Sequence, residues 1–235
     1  QRDIPVCKQP NKGAALSGSM TITVYYWPIY ARNIAVLRIL DYTNTPYEYV
    51  SARDKMAALC GCMGAESTTF APPVVVDGDN VISQSIACTM YLGKKLLLMP
   101  EGFDEYKGLQ FCLDCVDVFE NGFGKNNEHG PTLKNYLSGD RWKMLMGNLE
   151  RQIKGPYIFG DKPSPADFFL TQHMEWRTNT FFEPLKAKYG IDLLAAYPKL
   201  CGVRDAVQAL STYKPELNLN IMGMTKDEIL DEFKP

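Results

Sequence analysis

Several features that would assign a protein to a special class are missing from this 235-residue sequence. It contains no Asn-x-Ser/Thr acceptor site, and its wholly apolar runs, residues 56–60 and 193–197 among them, are far too short to cross a bilayer. A formal net charge of -2 and a pI of about 5.8 argue against nucleic acid or an anionic membrane as partner. We therefore expect no membrane span and no nucleic-acid binding.

The cysteine pattern fits neither a disulfide framework nor a metal site. Because the number of cysteines is odd and their spacing irregular, we expect free thiols in a reducing compartment. Cys60-Gly61-Cys62 has no second cysteine pair or histidines beside it, so no metal site is predicted, although a redox role stays open. Cys112 and Cys115 fall on the apolar face of a predicted helix, which favours core thiols over a redox pair. The seven positions are 7, 60, 62, 88, 112, 115 and 201.

The overall composition is that of a globular protein. Hydrophobic residues make up 46% and charged residues 22%, enough for one large domain or two modest ones. Breakers and composition divide the chain into a polar arm at 1–19, an α/β region at 20–98, a helical region at 106–215 and a tail at 216–235. The arm has no period and starts at Gln1, which fits processing. We expect a cytoplasmic protein, or one in an organelle lumen or stroma after a targeting peptide is cut.

The most informative stretch begins at Pro72-Pro73. Three valines follow, as in a strand buried on both faces, and the turn residues 77–80 lead into a second short strand at 81–82. Gln84 and Ser85 then stand at the start of a helix over 86–92. Helix N-termini favour anions, because their first N–H groups lack partners inside the helix. A plain hairpin and helix in an arbitrary α/β domain is the alternative.

The residues before this stretch predict a strand at 21–26, a helix at 32–42 and a strand at 47–50. With the hairpin and its helix, the order is β-α-β-β-β-α. Beyond residue 106, apolar spacing predicts helices over 109–119, 142–150 and 198–209. Ser164 and Asp167 form a capping-box-like helix start with Pro165 at the first position. A last short helix at 225–233 is predicted either to cover a substrate pocket or to dock on the surface.

These elements carry a resemblance to a known family. Residues 24–29, 35–43 and 46–48 resemble the opening of the tyrosine-type glutathione transferases, nearest the mu, pi and sigma classes. Pro73, Gln84 and Ser85 match the cis-proline and the γ-glutamyl-binding pair of that family. The resemblance covers about residues 20–210. It implies an α+β protein in which an N-terminal thioredoxin-like α/β domain precedes an all-helical C-terminal domain.

The resemblance also implies an activity: conjugation of glutathione, as co-substrate, to small apolar electrophiles in detoxification, or a related isomerase or peroxidase reaction. Tyr26 would be catalytic, its phenol stabilising the glutathione thiolate, although a strand aromatic filling the core is the plain alternative. Tyr30 would line the apolar pocket. Arg53 or Lys55 is the only cation available for the glycine carboxylate, unless both are solvated loop charges. The glutathione-binding residues implied are Tyr26, Trp27, Arg32, Lys55, Pro72, Pro73, Gln84 and Ser85.

Some positions depart from the family pattern. The residue before the cis-proline normally offers glutathione its N–H, and Pro72 has none. Where an aspartate reaches across the family's dimer, this chain has Gly122 or Lys125, with Glu120 as a substitute. We expect a homodimer. A second interpretation therefore stands beside the enzyme: a weak or inactive structural or binding subunit, attached to a protein partner through residues 1–19 and the tail.

Overall fold

The computed structural model describes residues 21–99, 105–123, 130–218 and 227–235. The predicted arm at 1–19 lies outside the described residues, as do Lys125 and part of the tail. The first half is built on a mixed four-stranded sheet of order β2-β1-β3-β4. The strands are β1 (Ile22–Tyr25), β2 (Tyr47–Val50), β3 (Val74–Asp77) and β4 (Asn80–Ser83).

Strand pairing follows the expected thioredoxin-like arrangement. β1 pairs parallel with β2 and antiparallel with β3, and β3 and β4 form the predicted hairpin. Val24 and Val75 face each other in the register and are fully buried, as expected for β-branched residues at the centre of a covered sheet. Three helices accompany the strands: α1 (Ile34–Tyr42) lies between β1 and β2, the short α2 (Arg53–Ala57) lies between β2 and β3, and α3 (Ser85–Lys95) follows β4.

The second half is entirely helical in the part of the chain that the structure describes. The helices are α4 (Glu105–Val116), α5 (Gly130–Ser138), α6 (Asp140–Gln152), α7 (Pro165–Arg177), α8 (Glu183–Tyr189), α9 (Pro198–Gln208) and α10 (Asp227–Asp231). Two turns of π-helix follow α4 and α7, over Asp117–Gly122 and Thr178–Phe182.

The buried helix α7 begins with the predicted capping box. The Asp167 carboxylate accepts hydrogen bonds from the Ser164 backbone N–H (2.7 Å), the Ser164 hydroxyl (2.6 Å) and the Ile158 N–H (2.7 Å). These bonds satisfy donors that would otherwise be buried without partners at the start of the helix. The box therefore serves folding, as the sequence suggested.

The two halves share one hydrophobic core because α7 packs against both. It contacts α1 and α3 of the first half and α4 and α9 of the second. Gln172 accepts a hydrogen bond from the Ala35 N–H (2.9 Å), and Arg38 forms a buried ion pair with Glu175 (2.5 Å). Gly93 of α3 lies directly against the Pro165 ring. Such contacts fix the sheet relative to the helical half.

The end of the chain docks on the helical half. Phe233 packs edge-on against Phe181 with ring centroids 5.5 Å apart, and Lys188 forms an ion pair with Asp231 (2.6 Å). Of the two roles predicted for the tail, this contact matches surface docking. Cys112 and Cys115 are fully buried, as the helical spacing predicted. No helix in the described part of the chain has the length and apolar character needed to cross a membrane.

Candidate functional site

A cavity of about 810 Å³ lies between α3, the loop before β3 and one side of α4. Five of the predicted site residues line it: Arg32, Pro72, Pro73, Gln84 and Ser85. The remaining lining residues are mostly apolar and come from both halves of the molecule. They are Phe70, Ala71, Ile86, Ala87, Met90, Tyr91, Lys94, Met99, Glu105, Tyr106, Leu109, Leu113, Val116, Glu120 and Phe169.

The polar end of the cavity is formed by two irregular backbone features. The Pro72–Pro73 peptide bond is cis, as the family resemblance implied, and β3 begins at the next residue. Gln84 has φ +77°, a value that non-glycine residues rarely adopt and that costs about 1–3 kcal/mol. Ser85 follows as the first residue of α3. The first N–H groups of that helix therefore lie at the cavity wall, where an anion is favoured.

Arg32 connects the candidate catalytic tyrosine to this helix start. Its backbone N–H donates to the Tyr26 hydroxyl (3.2 Å), and its carbonyl accepts the Ser85 hydroxyl proton (2.5 Å). Tyr26 follows the last residue of β1 and is only 4% exposed. Burial raises the pKa of Tyr26 above its usual value, against a smaller lowering by the Arg32 N–H. The phenol therefore stays protonated near neutrality, and its proton is not used in the bond with Arg32.

The Arg32 side chain reaches across the cavity to the helical half. Its guanidinium forms an ion pair with Glu120 (2.7 Å), whose side chain is 17% exposed. The other Glu120 oxygen lies 3.6 Å from Nε2 of His173. Burial, with Arg177 and Arg32 nearby, lowers the pKa of His173 to about 3, so this ring is neutral at physiological pH. Glu120 thus faces one exposed cation, Arg32, and the buried cation Arg177.

A second ion pair lines the cavity at the other end of α4. Lys94 of α3 and Glu105 of α4 meet at 2.7 Å, with both side chains well exposed. Between the two ion pairs, α4 presents Leu109, Leu113 and Val116 at helical spacing along about 10 Å of its length. The cavity therefore has a polar, charged end beside Ser85 and a long apolar wall, a combination suited to an amphiphilic ligand.

Other predicted residues do not line this cavity, and Tyr30, which was predicted for the apolar pocket, is one of them. The Tyr30 ring lies against Tyr49 at 6.2 Å, because the Tyr49 hydroxyl binds the carbonyls of Trp27 and Ile29 and holds this segment over β2. Trp27 is half-buried there, and Lys55 is exposed on α2; neither lines the cavity. Tyr26 lies behind Arg32 rather than on the cavity wall itself.

Cys88 lies near the helix start, but its thiol is buried. Cys88 is fully buried and donates to the carbonyls of Ile82 (3.3 Å) and Pro73 (3.7 Å). Burial raises the pKa of Cys88 to about 12, so the thiolate does not form near neutrality. Cys88 ties the cis-proline loop to α3, and the activating group must be sought elsewhere.

Sequence reasoning missed the α4 side of the cavity. The apolar spacing predicts the helix and the burial of Cys112 and Cys115, but it does not separate these buried positions from Leu113, which is half exposed. The sequence does carry a signal for this side of the cavity, because α4 has more apolar residues than a single helix face can bury. Glu120 was considered only as a contact across a dimer; the structure places it in the cavity of its own chain.

Comparison with known proteins identifies the fold of this chain. No protein-family model matches the sequence, and no curated protein matches it significantly. Solved structures do match. One is prostaglandin synthase D of Nilaparvata lugens, with a TM-score of 0.63 and 18% identity over 82% of this chain and 94% of that one. The chain has the fold of the glutathione transferases.

Two further structures support this assignment. The Pi-class glutathione S-transferase of Onchocerca volvulus has a TM-score of 0.62 and 18% identity, covering 81% of this chain and 88% of that one. The glutathione transferase Omega 3C of Trametes versicolor has a TM-score of 0.62 and 14% identity, covering 86% and 89%. Both the pi and the omega class fit equally well. The glutathione transferase fold is therefore established here, and a class within it is not.

Proposed function

We propose that this protein is a tyrosine-type glutathione transferase, which conjugates glutathione to small apolar electrophiles or catalyses a related glutathione-dependent isomerisation or peroxide reduction. The observation that carries the proposal is the hydrogen-bonded connection of Tyr26 and Ser85 through Arg32, at the polar end of a largely apolar cavity. The glutathione transferase fold of the chain agrees with it. Glutathione would occupy the polar end and the electrophile the apolar wall.

The γ-glutamyl carboxylate is assigned to the start of α3. The Ser85 hydroxyl gives its proton to the Arg32 carbonyl, so it cannot also donate to the ligand in this arrangement. The donors left for a carboxylate are the first N–H groups of α3 and the Gln84 side-chain amide. The strained backbone of Gln84 places that residue at the helix start, which is consistent with a binding role.

The cysteinyl part of glutathione would lie against Pro72 and Pro73. Because Pro72 has no N–H, one hydrogen bond that a non-proline residue would supply is absent. An unpaired ligand carbonyl would cost about 1–3 kcal/mol if the site is dry. This position is the strongest argument for the rival function, a binding subunit without activity, which would bind glutathione weakly or not at all.

Tyr26 would activate the thiol. A free thiol with a pKa of about 8.5 is only a few per cent ionised near neutrality. A phenol proton donated to the thiolate is worth about 1.5–3 kcal/mol, which lowers the thiol pKa by roughly one to two units. Tyr26 keeps its own proton at neutral pH, since burial raises its pKa, and is therefore in the right form to donate.

The experiment compares Tyr26→Phe with wild type in the conjugation of glutathione to 1-chloro-2,4-dinitrobenzene. Loss of the phenol donor should reduce kcat/KM roughly ten- to hundredfold near neutral pH and less at alkaline pH, where the free thiol ionises anyway. Tyr25→Phe is the matched control, because Tyr25 is the neighbouring residue at the end of β1, and successive side chains of a strand point to opposite faces of the sheet. Equal activity of Tyr26→Phe and Tyr25→Phe would remove Tyr26 from the mechanism.

Two further parts of the proposal concern assembly and compartment. We propose a homodimer, with the exposed apolar side chains of Phe70 and Tyr106 at the cavity rim offering a surface for a second chain. We also propose a reducing compartment, because all the described cysteines are free thiols. A partner bound through residues 1–19 belongs to the rival function.

A further inference from the structure

Arg177, the last residue of α7, is a buried cation outside the cavity. It is 5% exposed, and its Nη2 donates to the carbonyl of Phe119 at 2.7 Å. Its guanidinium also lies over the rings of Phe123 (4.5 Å) and Trp176 (4.2 Å). Burying a guanidinium costs several kcal/mol unless its bonds and charge are matched. A cation buried at this cost is therefore expected to fix the position of a neighbouring chain segment.

Arg177 fixes the chain segment that carries Glu120. Phe119 and Glu120 are consecutive residues of the π-helical turn Asp117–Gly122, where the α-helical spacing of α4 is interrupted. Turns of this kind often redirect side chains at functional sites. Here the bond from Arg177 fixes the peptide group between Phe119 and Glu120. Glu120 in turn acts on Arg177: burial lowers the pKa of Arg177 to about 10, and the Glu120 charge partly opposes this lowering.

Direct contacts connect Glu120 to Tyr26 and Ser85 through Arg32. The Glu120 carboxylate binds the Arg32 guanidinium at 2.7 Å. The Arg32 N–H then binds the Tyr26 hydroxyl at 3.2 Å, and the Arg32 carbonyl binds the Ser85 hydroxyl at 2.5 Å. Arg32 is otherwise 57% exposed, so without Glu120 its side chain would have little to hold it.

We infer that Arg177 is a positioning residue for Tyr26, acting through Glu120 and Arg32. The inference rests on the proposed function, since Tyr26 matters only if it activates a thiol. Arg177 itself does not line the cavity and would not touch glutathione. Its role is to keep the Glu120 carboxylate where it holds Arg32, so that the Arg32 N–H stays bonded to the phenol.

The direction of the effect follows from the charges around each group. Tyr26 is influenced by Arg32 and Glu120, and Glu120 by Arg32, Arg177 and the neutral ring of His173. Releasing Arg32 would remove an N–H donor and a nearby positive charge, both of which lower the pKa of Tyr26. A less well-held phenol would stabilise the thiolate less, and the pKa of bound glutathione would rise.

The test uses Arg177→Met and the milder Arg177→Lys, each alone and combined with Glu120→Gln. The first readout needs no ligand: hydrogen exchange of the Arg32 amide, followed by NMR, should accelerate at least about fivefold in Arg177→Met. The second is the pH profile of kcat/KM for conjugation. It should shift to higher pH by roughly half to one unit, so that activity near pH 6.5 falls about three- to tenfold and recovers above about pH 9. Arg177→Lys should shift both readouts less.

Two comparisons separate positioning from loss of stability. Arg38→Met removes another buried cation, the partner of Glu175, and should lower the melting temperature without moving the pH profile. In the Glu120→Gln background, Arg177→Met should change neither readout further, because the effects of two substitutions in one chain of contacts are not additive.

An equal effect of Arg177→Met in both backgrounds would overturn the role of Glu120. Lower stability with unchanged Arg32 exchange and unchanged pH profile would overturn the positioning role. If wild type does not bind glutathione, the proposed function fails, while the Arg32 exchange measurement still decides whether the connection from Arg177 exists.

Discussion

Gly93 offers the sharpest test of how the two halves of the molecule are joined. A Cβ added there would lie 2.9 Å from Pro165 Cβ and closer still to Pro165 Cγ, whereas carbon atoms in contact prefer about 3.5–4.0 Å. Pro165 is buried at the start of α7 and its ring cannot rotate away. In Gly93→Ala, α3 and α7 must therefore separate by more than an ångström.

The expected magnitude has two parts. Replacing glycine by alanine inside a helix stabilises by about 0.5–1 kcal/mol, and overpacking a core contact costs about 1–3 kcal/mol or more. Gly93→Ala should therefore lower the free energy of unfolding by about 1–2 kcal/mol. Gly202→Ala is the matched control: Gly202 lies within α9 with nothing within 4 Å of an added Cβ, so it should gain stability. Urea denaturation measures both, and equal gains at the two sites would refute the α3–α7 packing.

The remaining predictions concern pH and the apolar wall. His173 has its pKa lowered to about 3 by burial, so the unfolded chain binds its proton first as the pH falls. The contribution of His173 to the free energy of unfolding is therefore complete above about pH 6.5 and is lost toward pH 3, by up to about 5 kcal/mol. In urea denaturation at a series of pH values, His173→Phe should lose less stability than wild type as the pH falls. An unchanged dependence of stability on pH would contradict this prediction. Leu113→Ala should weaken binding of S-hexylglutathione roughly five- to thirtyfold relative to glutathione, through lost apolar contact. Met144→Ala, at an exposed position of α6, should change neither affinity.

The elements of the first half could be predicted because their signals are local. The cis-proline stretch, the three valines and the turn at 77–80 fix a hairpin through backbone chemistry alone. The same holds for Ser164 and Asp167, whose three-residue spacing is itself the capping signal. Ser85 and Arg32 were found through family resemblance, and the bond between them joins residues 53 positions apart.

The helical side of the cavity could not be predicted, because it depends on tertiary packing. Which face of α4 meets α7 and which faces α3 is decided by the fold, so Leu113 and Phe111 look alike in sequence but differ in exposure. No sequence pattern predicts the π-helical turn that brings Glu120 to Arg32. The position of Tyr30 likewise depends on tertiary packing, since the Tyr49 hydroxyl holds the neighbouring Ile29 carbonyl across the sheet.

The central claim, that the polar end of the cavity binds glutathione, is tested most directly by calorimetric titration of the wild-type chain. We expect one glutathione per chain with a sub-millimolar Kd. We expect no binding of the dipeptide Cys-Gly, which lacks the γ-glutamyl group assigned to the start of α3. Equal binding of glutathione and Cys-Gly would contradict the placement of the γ-glutamyl carboxylate. No binding of glutathione at millimolar concentration would contradict the proposed function and favour a binding subunit.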